Sequence, residues 1–240
     1  MSETPKHYAT VALLPMKAHS ARVISKNFRT FAGKPLFRSI LDNLLETPGV
    51  ELVVINTDAR EILSEHGVED GYGGKVLIRD RKPELCGDFV SMNLVLADDV
   101  AAISADTYLM THTTNPLLSA ATMGAAIGKY QAAKARGEAD SLFTVNKFQT
   151  RFYRADGSAV NHDPDNLIRT QDLEPWFEEN SNLYLFSRES FAATNARIGN
   201  APIMHEIPKL ESADIDDAED WMIAEAVASY QGKRPESETQ

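Results

Sequence analysis

Apolar runs of strand length alternate with segments of helical periodicity along most of the chain, and this alternation restricts the fold more than any other feature. Residues 8–14 (YATVALL) have the pattern of a buried strand. After a loop, Pro35 stands where a first helical residue is favoured. Leu36, Phe37, Ile40, Leu41, Leu44 and Leu45 follow at helical spacing until Pro48 and Gly49 end the segment. Residues 51–57 (ELVVINT) give a second apolar strand, so the start of the chain predicts a strand, helix, strand unit with a parallel, right-handed crossover.

The same reading continues downstream. It gives a short helix over 59–66 stopped by Gly67, a short strand over 75–78, and a turn-rich stretch over 79–88. Asp88 is the expected cap of a helix that buries Phe89, Met92, Val95, Leu96, Val100 and Ile103. A strand over 106–110, an Ala-rich helix from a Ser119 cap to about Gly137 and a strand over 141–145 come next. Asp156 and Gly157 mark a hairpin turn. Residues 161–179 are polar and too long for an ordinary structureless loop, which points to a function or a partner surface. A strand over 182–186, a helix over 188–196 and a strand over 202–207 precede a last helix, capped by Asp217, with Trp221, Ile223 or Ala224, and Val227 turned inward. No repeat or Pro/Gly linker divides the chain. The expectation is an α/β fold, a mostly parallel sheet with helices on both faces, forming one domain over 1–232 with an excursion at about 146–181 and a disordered tail over 233–240.

Composition limits the partners. The formal net charge of −11 opposes a broad nucleic-acid or anionic-membrane surface, but a small anionic substrate needs only a local cluster of cations. No apolar run reaches the ~20 residues of a membrane span, and the N-terminus lacks the regions of a signal peptide, so a cytoplasmic protein is expected. Cys86 is the only cysteine, which rules out an intrachain disulfide and suggests a buried thiol.

In parallel α/β sheets the site lies at the carboxyl ends of the strands. There the loop over 14–35 offers Lys17, Arg22 and Lys26 among small and polar residues, a set that suits a polyphosphate but also a solvated surface loop. The other strand ends bring Asp58, Arg79, Arg81, His112, Asn115, Asp214 and Asp216 to the same crevice. These cations and carboxylates fit phosphate binding with a hard metal held by Asp oxygens. In an extended segment Asp214 and Asp216 share a face and suit one Mg²⁺, although acidic residues before a helix more often serve its dipole. A lone histidine such as His112 is more often structural than a base, and Asn180 and Tyr184 read as packing or edge residues.

Six segments in order resemble the cytidylyltransferases that make CMP-activated acidic sugars, the group containing CMP-sialic acid, CMP-legionaminic acid and CMP-KDO synthetases. Residues 14–27 (LPMKAHSARVISKN) align without a gap with I-P-A-R-G-G-S-K-x-I-P-x-K-N. INTD, ending at Asp58, resembles a strand ending in S-T-D, and Arg81 to Leu85 resembles R-P-x-x-L. Thr114 to Leu117 resembles T-S-P-L, residues 177–185 resemble F-R-P-N-G-A-I-Y-I, and residues 214–216 fall on D-I-D. Lys17 replaces the family's loop Arg, Ala18-His19 its Gly-Gly and Ala21 its Lys, while Ser20, Arg22 and Lys26 keep a spacing closer to the KDO enzymes. His112, Leu118 and Glu178 replace a Gln and two Arg near the sugar site, which bears on the identity of the sugar rather than the chemistry.

The resemblance implies a Rossmann-like nucleotidyltransferase that moves CMP from CTP to the anomeric hydroxyl of a 2-keto sugar acid and releases pyrophosphate. It implies Arg22, Lys26 and Asp216 as catalytic residues, Asp214 and Asp216 as ligands of Mg²⁺, and Lys17, Ser20, Asn27, Arg81, His112, Asn115, Asn180 and Tyr184 as substrate contacts. Lys17 would serve the phosphates or the ribose side. The family is commonly a homodimer through an excursion like that at 146–181. Ala21 and Leu118 suggest a second reading, a nucleotide-binding protein without catalysis, and a third keeps the fold as a nucleotidyltransferase for another sugar and nucleotide.

Overall fold

The computed structural model describes residues 6–19 and 25–231. Ser20, Arg22 and the expected tail over 233–240 lie outside the described residues. A seven-stranded sheet is built from β1 (His7–Leu13), β2 (Leu52–Thr57), β3 (Val76–Asp80), β4 (Ser104–Thr111), β5 (Ser141–Phe148), β6 (Trp176–Phe186) and β7 (Pro202–Glu206). Its order is β3-β2-β1-β4-β6-β5-β7. All neighbours are parallel except at β6, which runs antiparallel to β4 and β5. The helices are α1 (Leu36–Glu46), α2 (Arg60–Glu65), α3 (Met92–Ala102), α4 (Ala120–Ala135), α5 (Arg188–Thr194) and α6 (Ala218–Gln231).

Strand alternation explains the layers. Ala12 and Leu14, with Val53 and Ile55, face a core shared with α1 and α4 through Phe37, Ile40, Met123 and Ile127. Val11 and Leu13, with Val54 and Met110, face the opposite core with Leu96 and Val100 of α3 and Phe191 of α5. Helices therefore cover both faces, as the apolar strands require. A smaller cluster of Phe31, Leu36, Leu117, Ile215, Trp221 and Ala224 docks α6. Between Phe31 and Lys34 a two-residue turn has Ala32 and Gly33 both at positive φ (47° and 89°), which sets the entry to α1.

Three local expectations are corrected. α3 begins at Met92 under a Ser91 cap, because Gly87 at φ 122° and the turn after it carry the chain away at Asp88. Phe89 is consequently fully exposed instead of buried. Cys86, in the same turn, is exposed. Of the two alternatives expected in α6, Ala224 takes the inward position beside Trp221 and Ile223 faces outward.

The excursion is more ordered than its polar sequence suggests. β5 and β6 remain paired from Val145↔Glu179 to Phe148↔Trp176 beyond a bulge, forming a two-stranded arm. Phe152 stacks on Trp176 and meets Phe148 edge-on at its end. At the Asp156-Gly157 turn a single bridge, Tyr153↔Ala159, stands in place of a longer hairpin.

Candidate active site

A cleft of about 430 Å³ opens where β1, β2 and β4 end, and Lys17, Lys26, Asn27, Arg81, Asp88 and His112 line it. The loop after β1 is held from three sides. Asn27 Nδ2 donates to the Lys17 carbonyl at 2.7 Å, and Thr113 Oγ1, just past β4, donates to Asn27 Oδ1 at 2.6 Å. The Ala18 amide donates to Asp58 Oδ1 at 2.7 Å, so the aspartate after β2 fixes loop backbone. Arg81 donates through Nε to Asn56 Oδ1 (2.9 Å) and through Nη2 to the Met16 and Asn56 carbonyls (3.1 and 2.7 Å). Asn27 and Arg81 thus stand at the cleft with polar atoms already committed to its framework.

Behind Arg81 lies a buried polar chain. Asn56 Nδ2 donates to Asp99 Oδ1 at 2.8 Å, which orients the Asn56 amide so that its oxygen faces Arg81. Arg79 also donates to Asp99 and reaches Asp98 at 2.8 Å. Arg79 therefore does not enter the crevice: β3 extends through it and turns its guanidinium onto α3.

Two cations differ in setting. Lys17 Nζ reaches Asp88 Oδ1 at 2.7 Å across the cleft, and this contact holds the Asp88 carboxyl below its usual range. Lys26 is buried; its Nζ donates to the Ile215 carbonyl at 2.5 Å and lies 3.9 Å from Asp216 Oδ1. That contact brings the loop after β1 against the segment before α6. Ile215 itself is anchored by its amide on the Thr114 carbonyl at 2.9 Å.

Asp214 and Asp216 flank that anchor. Among the described residues, Asp214 Oδ1 is buried without a hydrogen-bond partner. Burial, opposed by the nearby Thr114 hydroxyl and reinforced by the Asp216 charge, raises the Asp214 carboxyl above its ordinary range. A partnerless buried carboxylate oxygen beside a second carboxylate fits a hard divalent cation. Among the described residues no group of three or more His, Cys, Asp or Glu is placed to hold a metal. Further oxygens would have to come from phosphate and water, as is usual for Mg²⁺.

His112 lines the cleft beside Lys26 and Asn27. Burial first, then the charges of Arg197 and Lys26, push its imidazole down from 6.5 to about 3. It is therefore a neutral hydrogen-bonding group at working pH. Between pH 6.5 and about 3 the unfolded chain binds the extra proton, so this group removes stability as pH falls through that window. His112→Gln is expected to flatten the decline of Tm between pH 7 and pH 4.5, measured by thermal unfolding beside the wild type. An unchanged slope would show that His112 does not set it.

The other candidates sit further from the cleft. Asn115 is fully buried, with Nδ2 near the Ala213 carbonyl (3.4 Å), and joins the turn after β4 to the segment carrying Asp214. Asn180 accepts from Thr144 Oγ1 at 2.7 Å and donates to Asn146 at 3.1 Å, stabilising the bulge between β5 and β6. The Tyr184 ring is fully buried in the core beside α3, and its hydroxyl bonds Glu179 and accepts from Arg197 at 3.0 Å. Burial is the main cause that pushes this phenol up to about 12. Asp88 and Thr113 carried no sequence signal as cleft residues, because each reaches the cleft from a turn without a recognisable pattern.

The family profile described as Cytidylyltransferase matches residues 11–231. The chain is 23% identical over 226 residues to a pseudaminic acid cytidylyltransferase of Campylobacter jejuni, covering 89% of this chain and 94% of the relative. It is 25% identical to a CMP-N,N'-diacetyllegionaminic acid synthase of Legionella pneumophila over 90% of this chain and 94% of the relative. A CMP:2-keto-3-deoxy-manno-octonic acid synthetase solved with CTP superposes with a TM-score of 0.63 at 15% identity, covering 93% of this chain and 99% of its own. The profile runs through every strand of the sheet and both ends of the cleft, so the chain belongs to the cytidylyltransferase family.

Proposed function

We propose that this chain transfers CMP from CTP to the anomeric hydroxyl of a 2-keto sugar acid. The hydroxyl oxygen forms a bond to the α-phosphorus, the bond from that phosphorus to the β-phosphate bridging oxygen breaks, and pyrophosphate leaves. The observation that carries the reading is the meeting of the cationic loop with the Asp214 and Asp216 pair through Lys26. Such a displacement depends on positioning and charge neutralisation more than on covalent help. Lys26 and Lys17 face the triphosphate, with Arg22 assigned there by its motif, and the Lys17 contact to Asp88 is exchanged for phosphate. Asp214 and Asp216 would hold Mg²⁺, which neutralises phosphate charge when bound. His112, held neutral, serves hydrogen bonding rather than proton abstraction.

The names of the relatives support an acidic sugar as acceptor. Exposed Tyr153, Leu167, Ile168, Trp176 and Phe177 on the excursion support a homodimer through that arm. Use of CTP supports a cytoplasmic site of action, and no described helix is long and apolar enough to cross a membrane.

The test is pyrophosphate release with CTP, Mg²⁺ and, in turn, sialic, legionaminic, pseudaminic and KDO acids. Release is expected only when CTP and one of these acids are both present. Absence of release with all four acids would overturn the reading.

A further inference from the structure

Arg197 follows α5, past Asn195, which ends the helix in the left-handed conformation (φ 53°). Its guanidinium carbon lies 3.9 Å from the centre of the Tyr184 ring, and Nη2 donates to the Tyr184 oxygen at 3.0 Å. The side chain is only 23% exposed. Among the described residues, Tyr184 is the sole hydrogen-bond acceptor of a fork that carries five donors. Glu179 is the nearest carboxylate, but at 3.8 Å it is too far for a hydrogen bond, and it is already occupied with the Tyr184 hydroxyl.

The position of this fork relative to the cleft is set by the sheet. Tyr184 pairs in register with Met110, and His112 lies two residues beyond Met110, just past the end of β4. Arg197 and Lys26 both lie close enough for their charges to act on the His112 imidazole, which lines the cleft. Lys26, beside the Asp pair, belongs to the phosphate side. Arg197, the other cation that acts on this ring, has no carboxylate at hydrogen-bond distance among the described residues. The carboxylate of a 2-keto sugar acid adjoins the anomeric carbon whose hydroxyl attacks, so the acceptor brings its negative charge close to the reaction.

We propose that Arg197, braced on the ring and hydroxyl of Tyr184, is a substrate-binding residue that receives the carboxylate of the sugar-acid acceptor and selects acids over neutral sugars; this rests on the cytidyl transfer proposed above. A guanidinium fork matches a carboxylate in two parallel hydrogen bonds, and pre-bracing lowers the ordering cost of binding.

The experiment uses the acid identified by the four-acid panel and its C1 carboxamide, both with CTP. Wild-type enzyme is expected to prefer the acid in kcat/KM by about 30-fold or more. In Arg197→Met that preference should fall close to unity, while KM for CTP stays within about twofold. Arg197→Gln, which keeps a donor toward Tyr184, is read in the same way and carries the test if the Met variant does not fold. An undiminished preference in the folded variant overturns the proposal. Equal loss of turnover with acid and amide also overturns it, since a purely architectural role produces that result. If wild-type enzyme turns over none of the four acids, the cytidyl-transfer reading falls first and this proposal with it.

Discussion

Lys26→Met is expected to lower kcat for pyrophosphate release by about 10²- to 10³-fold, the scale of losing one preorganised charge contact to developing negative charge. Lys26 is only 8% exposed, so its ammonium acts in a setting that screens it far less than water would. Its Nζ is positioned by the Ile215 carbonyl at 2.5 Å and stands 3.9 Å from Asp216. Methionine keeps the length of the stem but removes the ammonium together with its hydrogen bond to the Ile215 carbonyl, so apolar packing around the loop is preserved. Stability should move little, because the variant also removes the desolvation of a buried cation. The check is single-turnover kinetics at saturating CTP together with thermal unfolding. A loss below about tenfold with an unchanged Tm would place the triphosphate elsewhere on the loop.

The contrast between Lys26 and Arg81 shows where the sequence was readable. Both are cations at strand ends, and both sit on motif positions. Lys26 meets the Asp pair, whereas Arg81 is largely spent on Asn56 and the Met16 carbonyl. Spacing along the chain cannot distinguish them, because the partners come from residues 25 to 189 positions away. The buried strands were legible for the opposite reason: a run such as residues 52–57 is apolar on both faces because helices cover both. β6 was legible only from residue 182, since its first half, WFEENS, is polar and pairs in a two-stranded arm instead of a packed sheet. Capping rules gave Ser119 and Asp217 correctly but chose Asp88 over Ser91, because the direction of the turn after Gly87 is not encoded by capping chemistry. Arg197 was invisible for a related reason: its role depends on the turn after α5 returning to Tyr184.

Asp216→Asn is expected to raise the Mg²⁺ concentration needed for half-maximal turnover by about 10- to 100-fold, and to abolish detectable pyrophosphate release at low Mg²⁺. Two roles compete for this carboxylate. If Asp216 serves only the dipole of α6, its removal costs a few tenths of a kcal/mol and leaves turnover intact. Asp217 already accepts from the Glu219 and Asp220 amides at 2.8 and 3.0 Å, so the helix keeps its cap without Asp216. Asp220 likewise retains its contacts to the Asp216 and Asp217 amides, because these use backbone donors. Against the small dipole loss stands relief of repulsion with Asp214, whose carboxyl is raised partly by the Asp216 charge. The two effects oppose each other, and Tm without metal should shift by no more than about 2 °C. A metal role therefore separates activity from stability, and a dipole role does not. Turnover measured across a Mg²⁺ titration, beside thermal unfolding in chelator, distinguishes them: wild-type Mg²⁺ dependence in the Asn variant would remove Asp216 from the metal site.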